Sequence, residues 1–231
     1  MKTLYFILSI TLLANYANSQ NYQDSVLLLN GKSYKCNIIG MEGPSLHFKV
    51  EGKKNIPEDY FVADYRVFSY TANNKEIVVY QKNEEIGNFL TIDESKRYAI
   101  GSYDARQTYK TKLVFWSSLA LGYGVSLFDT YLSQSAIDSP TSTISGYNAG
   151  FFGKGPTIFP FALPILLTAS FGLPNSRAKD KYMLHKNYIN DQMYYNGFNA
   201  YAKQKRAFSA LKGSAIGLGL GLISYAILKT N

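Results

Sequence analysis

The stretch "GSAIGLGLGLISYAIL", residues 213–228, constrains the fold of this chain more than any other feature. It is almost wholly apolar, and Gly213, Gly217 and Gly221 recur every fourth residue. On a helix, positions four apart share a face. A face without side chains lets a second helix backbone come close, which is how membrane helices associate through small residues. Ser118, Gly122 and Ser126 repeat the spacing inside "LVFWSSLALGYGVSLF", residues 113–128. These six residues are therefore the candidate helix-packing site, and the two ridges are expected to meet, within one chain or between chains. A phosphate-cradling reading fails, because the glycines lack the GxGxxG spacing, a preceding strand and a downstream acid.

A further apolar stretch, "TIFPFALPILLTASFGL" at 157–173, carries Pro160 and Pro164. With flanking residues, the segment from 113 approaches the roughly 20 residues that a span requires. The expected fold class is an α+β membrane protein: a small SH3-like β roll or barrel, then a helical membrane region with about three apolar segments. Three unusually apolar core helices of a water-soluble domain are the competing reading. Trp116, Tyr131 and Tyr225 lie near segment ends, where an aromatic belt belongs. Charge raises a difficulty. Three crossings from an exported N-terminus put the basic loop 174–209 outside and the nearly neutral residues 133–156 inside, against the positive-inside rule.

The chain opens with "MKTLYFILSITLLANYANSQ". Lys2, an apolar run and the small residues Ala17 and Ser19 make residues 1–19 a cleaved signal peptide, with Gln20 the first mature residue; an uncleaved anchor is the alternative. Either one exports the residues that come after it. Residues 20–84 read as the exported β-domain. Asn30-Gly31 fits a type I′ hairpin turn. "SLHFKV" alternates apolar and polar residues as a half-buried strand does. "DYRVFSYT" and "KEIVVY" bring the expected strands to five. Cys36 is the only cysteine, so no disulfide forms within the chain. Thr91 and Glu94 form a capping-box pattern that starts a connecting helix near Ile92, within residues 85–112. Residues 113–231 then form the glycine-rich helical membrane region.

Leu184, Tyr188, Tyr195, Phe198 and Ala202 form an amphipathic stripe in the basic loop, suited to a membrane surface or to the protein's own helices. There is also an internal echo. Ala105-Arg106, Ser117 and Leu121-Gly122-Tyr123-Gly124 recur 97 positions on as Ala202-Lys203, Ser214 and Leu218-Gly219-Leu220-Gly221. Catalytic patterns do not emerge. "GKGPT" at 153–157 misses the Walker spacing, and neither His47 nor His185 belongs to a nucleophile elbow. No cofactor, metal site or enzyme activity is expected. The net charge of +8 would suit nucleic acid, but export directs it to lipid or to an acidic envelope partner.

The hairpin "VLLLNGKSYKCNIIG", the entry "IGNFLTIDESKRYAIGSYDARQTYK" and "MYYNGFNAYAKQKR" before a glycine-rich segment together resemble an uncharacterised family of exported bacterial membrane proteins. The resemblance implies a signal peptide, a small β-domain and glycine-rich helices in the cell envelope, and it implies no activity. The expected role is non-enzymatic scaffolding or assembly, with membrane lipid and an envelope protein or a second copy as partners. A small transport or channel component built from oligomerised glycine-rich helices is the alternative.

Overall fold

The computed structural model describes residues 23–52, 56–138, 157–176 and 182–230. The expected signal peptide at residues 1–19, "GKGPT" up to Pro156, and most of the 133–156 linker lie outside these residues. The chain is α+β, and it divides into two compact units between Ile92 and Asp93.

The first unit is one antiparallel sheet of six strands. These are β1 (Asp24–Leu28), β2 (Ser33–Glu42), β3 (Ser45–Glu51), β4 (Pro57–Ala63), β5 (Val67–Ala72) and β6 (Lys75–Val78), in the spatial order β4-β3-β2-β1-β5-β6. The strand missing from the expected five is β4. It begins at Pro57 and borders the sheet on one side only, the setting in which a strand tolerates proline. Alternation works as expected in β3, where Leu46 and Phe48 are fully buried and join Val26, Cys36 and Val67 in the core. The Asn30-Gly31 turn departs from expectation. Only Gly31 takes a positive φ, and Leu28 N–H donates to Lys32 O across a four-residue loop. The pair with two positive φ angles is Asn73 and Asn74, between β5 and β6.

The second unit holds helices α1 (Ile92–Thr108), α2 (Lys112–Asp138), α3 (Phe159–Gly172) and α4 (Gln192–Thr230). Helix α1 starts at the residue the capping pattern indicates. The basic loop 174–209 needs correcting: from Gln192 onward it is the first half of α4, continuous with the third apolar segment. Asp191 caps this long helix, accepting from Tyr194 N–H at 2.8 Å. The amphipathic stripe holds only in part. Phe198 and Ala202 are buried, but Leu184 is exposed and Tyr194, rather than Tyr195, fills the interior.

The α1–α2 run and α4 lie parallel. Ser102 Oγ donates to Gly197 O, Lys205 Nζ to Arg106 O, Thr111 Oγ1 meets Ser209 Oγ, and Ser126 Oγ donates to Leu218 O. Partners climb both helices together, separated by 95, 99, 98 and 92 positions respectively. That register brackets the 97-residue echo. Two similar helical segments therefore lie side by side, nearly in phase. Helix α3 returns in the opposite sense: Thr157 bonds Asp129 at one end, and Ser176 N–H donates to Asn199 Oδ1 at the other.

Candidate functional site: a seam of small residues and its surroundings

The lower half of the helical unit, from Thr111 and Ser209 onward, reverses the usual distribution of polarity. Ser118, Ser126, Asp129, Thr130, Ser133 and Ser214 are buried. Leu113, Trp116, Phe128 and Tyr131 of α2, Phe161, Ile165 and Leu166 of α3, and Ile216, Ile223, Ile227 and Leu228 of α4 are exposed. Leu113 is 86 % exposed and Ile165 70 %. The upper half has the ordinary pattern, with Tyr194, Phe198, Ala99 and Ala105 inside.

Backbone proximity explains the reversal. A Cβ on Gly213 would lie 2.3 Å from Phe115 O, and one on Gly217 would lie 2.2 Å from Leu119 O. On Gly221 it would overlap the Ser126 hydroxyl, and on Gly122 it would lie 2.5 Å from Ser214 O. All six candidate helix-packing residues are buried where α2 meets α4. Gly122 faces Ser214, while Gly217 fits between Leu119 and Tyr123, so the ridges interlock rather than meeting glycine to glycine. Further up, a Cβ on Gly101 would overlap Tyr194 O, and one on Gly197 would overlap Tyr98 O. One row of glycines thus holds α4 against α1 and α2 along most of its length. Gly124 and Gly219 are different, since added Cβ atoms there would meet nothing within 4 Å.

Hydroxyls inside the seam have few alternatives to helix carbonyls. Ser214 Oγ donates to Ala210 O at 2.6 Å, and Ser126 Oγ reaches Tyr123 O and, across the seam, Leu218 O. Ser118 and Ser133 hydroxyls are buried with no hydrogen bond. At the far end, Asp129 accepts from both the N–H and the hydroxyl of Thr157 at 2.7 Å, fixing the chain as it enters α3.

The upper half contains a polar centre that no sequence motif announces. Asp104 is fully buried and accepts from Leu184 N–H, His185 N–H and the Tyr194 hydroxyl, the last at 2.6 Å. His185 Nδ1 lies 2.8 Å from its other oxygen. Burial and the Asp104 carboxylate push the Tyr194 phenol well above its usual range, so it stays a proton donor. These contacts fasten residues 182–188 to α1 and α4.

His47 is bound in a similar way in the β-unit. Its Nδ1 lies 2.7 Å from Glu42 Oε1 and its Nε2 2.8 Å from Asp59 Oδ1, while its ring stacks on Phe61. Hydrogen bonds to Asp59, then to Glu42, raise its pKa above the ordinary histidine range. Thus each histidine is engaged by carboxylates within its own unit. No group of three metal-ligating side chains occurs among the described residues. Burial raises the Cys36 thiol to about 12, leaving it unreactive as a nucleophile. The β-unit also carries an open cavity of about 380 Å³, lined by Met41, Tyr65, Tyr70, Ile77, Tyr80 and Ile86 among others.

No protein-family model, curated protein or solved structure matches the chain. By length and composition, one helix among the described residues can cross a membrane, within Gln192–Leu228. Helix α3 has 14 residues, about 21 Å at the standard helical rise.

Proposed function

We propose that this is a non-enzymatic membrane protein of the cell envelope. In this reading α2, α3 and the second half of α4 form the membrane-embedded part, and the β-unit recruits an envelope partner. The observation that carries the reading is the reversed polarity of the lower half. In water, exposing this many large apolar side chains while burying serines forgoes about 25 cal/mol for each Å² of apolar surface left wet. In lipid the exposed apolar faces cost nothing, and close contact of small residues is what holds helices together. The interval from Lys112 to Asp129 on α2 rises about 26 Å, close to a typical hydrocarbon core, whereas the helical part of α3 rises about 21 Å and falls short of it. The open cavity on the β-unit, lined by polar residues such as Asp64 and Asn83 as well as by Met41 and Ile77, supports partner recruitment. The reading as a channel of oligomerised glycine-rich helices is less favoured, because α2 of the same chain occupies the glycine ridge of α4 that such oligomerisation would use.

Trp116 is the only tryptophan, and it is 62 % exposed within the apolar girdle. Purified protein reconstituted into bilayers of brominated phosphatidylcholine should lose most of its tryptophan emission, relative to the unbrominated lipid. Full retention of emission, with aqueous acrylamide quenching instead, overturns the membrane reading.

A further inference from the structure

Above the apolar girdle, the parallel register of α1–α2 and α4 gathers cations from two distant parts of the sequence. Arg106 lies over the Tyr201 ring at 4.2 Å, with Lys205 Nζ 5.8 Å from the same ring. Lys205 also donates to Arg106 O at 3.3 Å. Lys110 and Lys112 follow on one run and Lys212 on the other. The sequence has no Asp or Glu from 105 to 128 or from 192 to 231, so both runs carry net positive charge. Asp104 is turned inward and occupied by His185, Tyr194 and the 184–185 backbone. Burial and, after it, the neighbouring Arg106 charge lower the Lys205 pKa.

Immediately below Arg106 and Lys205 the surface turns apolar, with Leu113, Trp116 and Phe208 all more than half exposed. Lys212 lies a turn beyond Phe208, level with Trp116, because its neighbour Gly213 packs on Phe115 O. A ligand that matches both features has an anionic head and hydrocarbon tails. We propose that Arg106 and Lys205, supported by Lys110, Lys112 and Lys212, bind the headgroup phosphate of an anionic phospholipid whose acyl chains lie along Leu113, Trp116 and Phe208. The proposal rests on the membrane reading above and adds a lipid class to it. Tyr201 lies against the face of the Arg106 guanidinium. Contact at the face is compatible with in-plane N–H groups donating to phosphate oxygens in the bidentate manner arginine favours.

The test uses full-length protein in bilayers containing either brominated phosphatidylglycerol in unbrominated phosphatidylcholine or the reverse. Trp116 reads which lipid occupies the adjacent surface. An anionic preference of about fivefold or more is expected, the effect of roughly one well-placed cation near a membrane surface. It should fall toward unity in Arg106→Gln/Lys205→Gln, and it should survive in reduced form in Arg106→Lys, which keeps the charge but loses the bidentate geometry. Lys205→Gln alone, at a half-buried position, should reduce it by a smaller factor and guards against misfolding of the double variant. Equal quenching by both brominated lipids overturns the proposal and leaves the membrane reading standing. Absence of quenching by either overturns the membrane reading itself. A preference unchanged in the double variant, which retains its helical circular dichroism, places the lipid elsewhere and rejects these residues. Displacement of the brominated lipid by inorganic phosphate, beyond what chloride at equal ionic strength achieves, rejects a lipid in favour of a soluble anion.

Discussion

Two glycines of α4, two positions apart, should respond to the same substitution with opposite signs. At Gly217 an added Cβ would lie 2.2 Å from Leu119 O and 2.7 Å from Tyr123 N. Both are backbone atoms of a packed helix, so neither can swing aside. Ordinary carbon contacts need about 3.5 Å, so α2 and α4 must separate by roughly 1 Å to admit one methyl group. At Gly219 the same Cβ would meet nothing within 4 Å. Replacing glycine by alanine in a helix gains about 1 kcal/mol in propensity at either site. Comparing the two variants cancels that gain and isolates overpacking, typically about 1–3 kcal/mol. Gly217→Ala should therefore unfold more readily than Gly219→Ala by about 1–3 kcal/mol. Gly219→Ala itself should equal or exceed the parent protein. Gly217→Ile should separate the helices outright, whereas Leu218→Ile should be mild. The assay is reversible unfolding in mixed micelles of rising sodium dodecyl sulfate fraction, followed by helical circular dichroism. Equal midpoints for the two alanine variants would refute the close-contact reasoning.

Other contacts lead to further expected outcomes. Thr111→Cys with Ser209→Cys, in a Cys36→Ser background, should crosslink readily, because the parent hydroxyls lie 2.6 Å apart; failure to crosslink in folded protein contradicts the parallel register. Asp104→Asn keeps a carbonyl oxygen for Leu184 N–H, His185 N–H and the Tyr194 hydroxyl, but removes the charge and sets an amide NH2 against His185 Nδ1. It should cost about 1.5–3 kcal/mol, with thermal unfolding as the measurement and faster proteolysis near residues 182–188 as a second sign. Tyr194→Phe removes one of those donors and should cost less. His47 should make the β-unit pH-dependent. Its folded pKa is raised, so its contribution is fully present below the unfolded value of about 6.5 and is lost as pH rises through the folded pKa; His47→Gln should flatten that part of the stability profile.

The legible parts of the sequence were those written in local periodicity. Spacing of four marked Gly213, Gly217, Gly221, Ser118, Gly122 and Ser126, because side-chain volume alone decides how near two backbones can come. It carried no direction, since a ridge looks the same to a parallel and to an antiparallel partner. The echo between 105–124 and 202–221 held that information, yet it became interpretable only once the helices lay side by side. Strand β4 was missed because Pro57, Glu58 and Asp59 open it with residues that strands avoid. The break expected between the basic loop and the third apolar segment was an effect of charge. Lys203, Lys205, Arg206 and Lys212 are good helix formers, so a change of polarity passes along α4 without a change of backbone. Asp104 was invisible for a different reason: His185 and Tyr194 lie 81 and 90 positions away in sequence.

Parallel pairing has a consequence in time. A helix that packs on its sequence neighbour finds its partner within a few residues of synthesis, but α2 packs on a segment that emerges nearly 100 residues later. At about 5–20 residues per second, the wait is on the order of 5–20 s. Throughout it Ser118, Gly122 and Ser126 present an uncovered groove of the shape that α4 later fills. Any other helix with small residues every fourth position fits that groove meanwhile, including the α4 of a neighbouring chain that has already been completed. Exchange of α4 between chains is therefore the error to which this architecture is most exposed, and the delay before the native partner arrives sets how often it occurs.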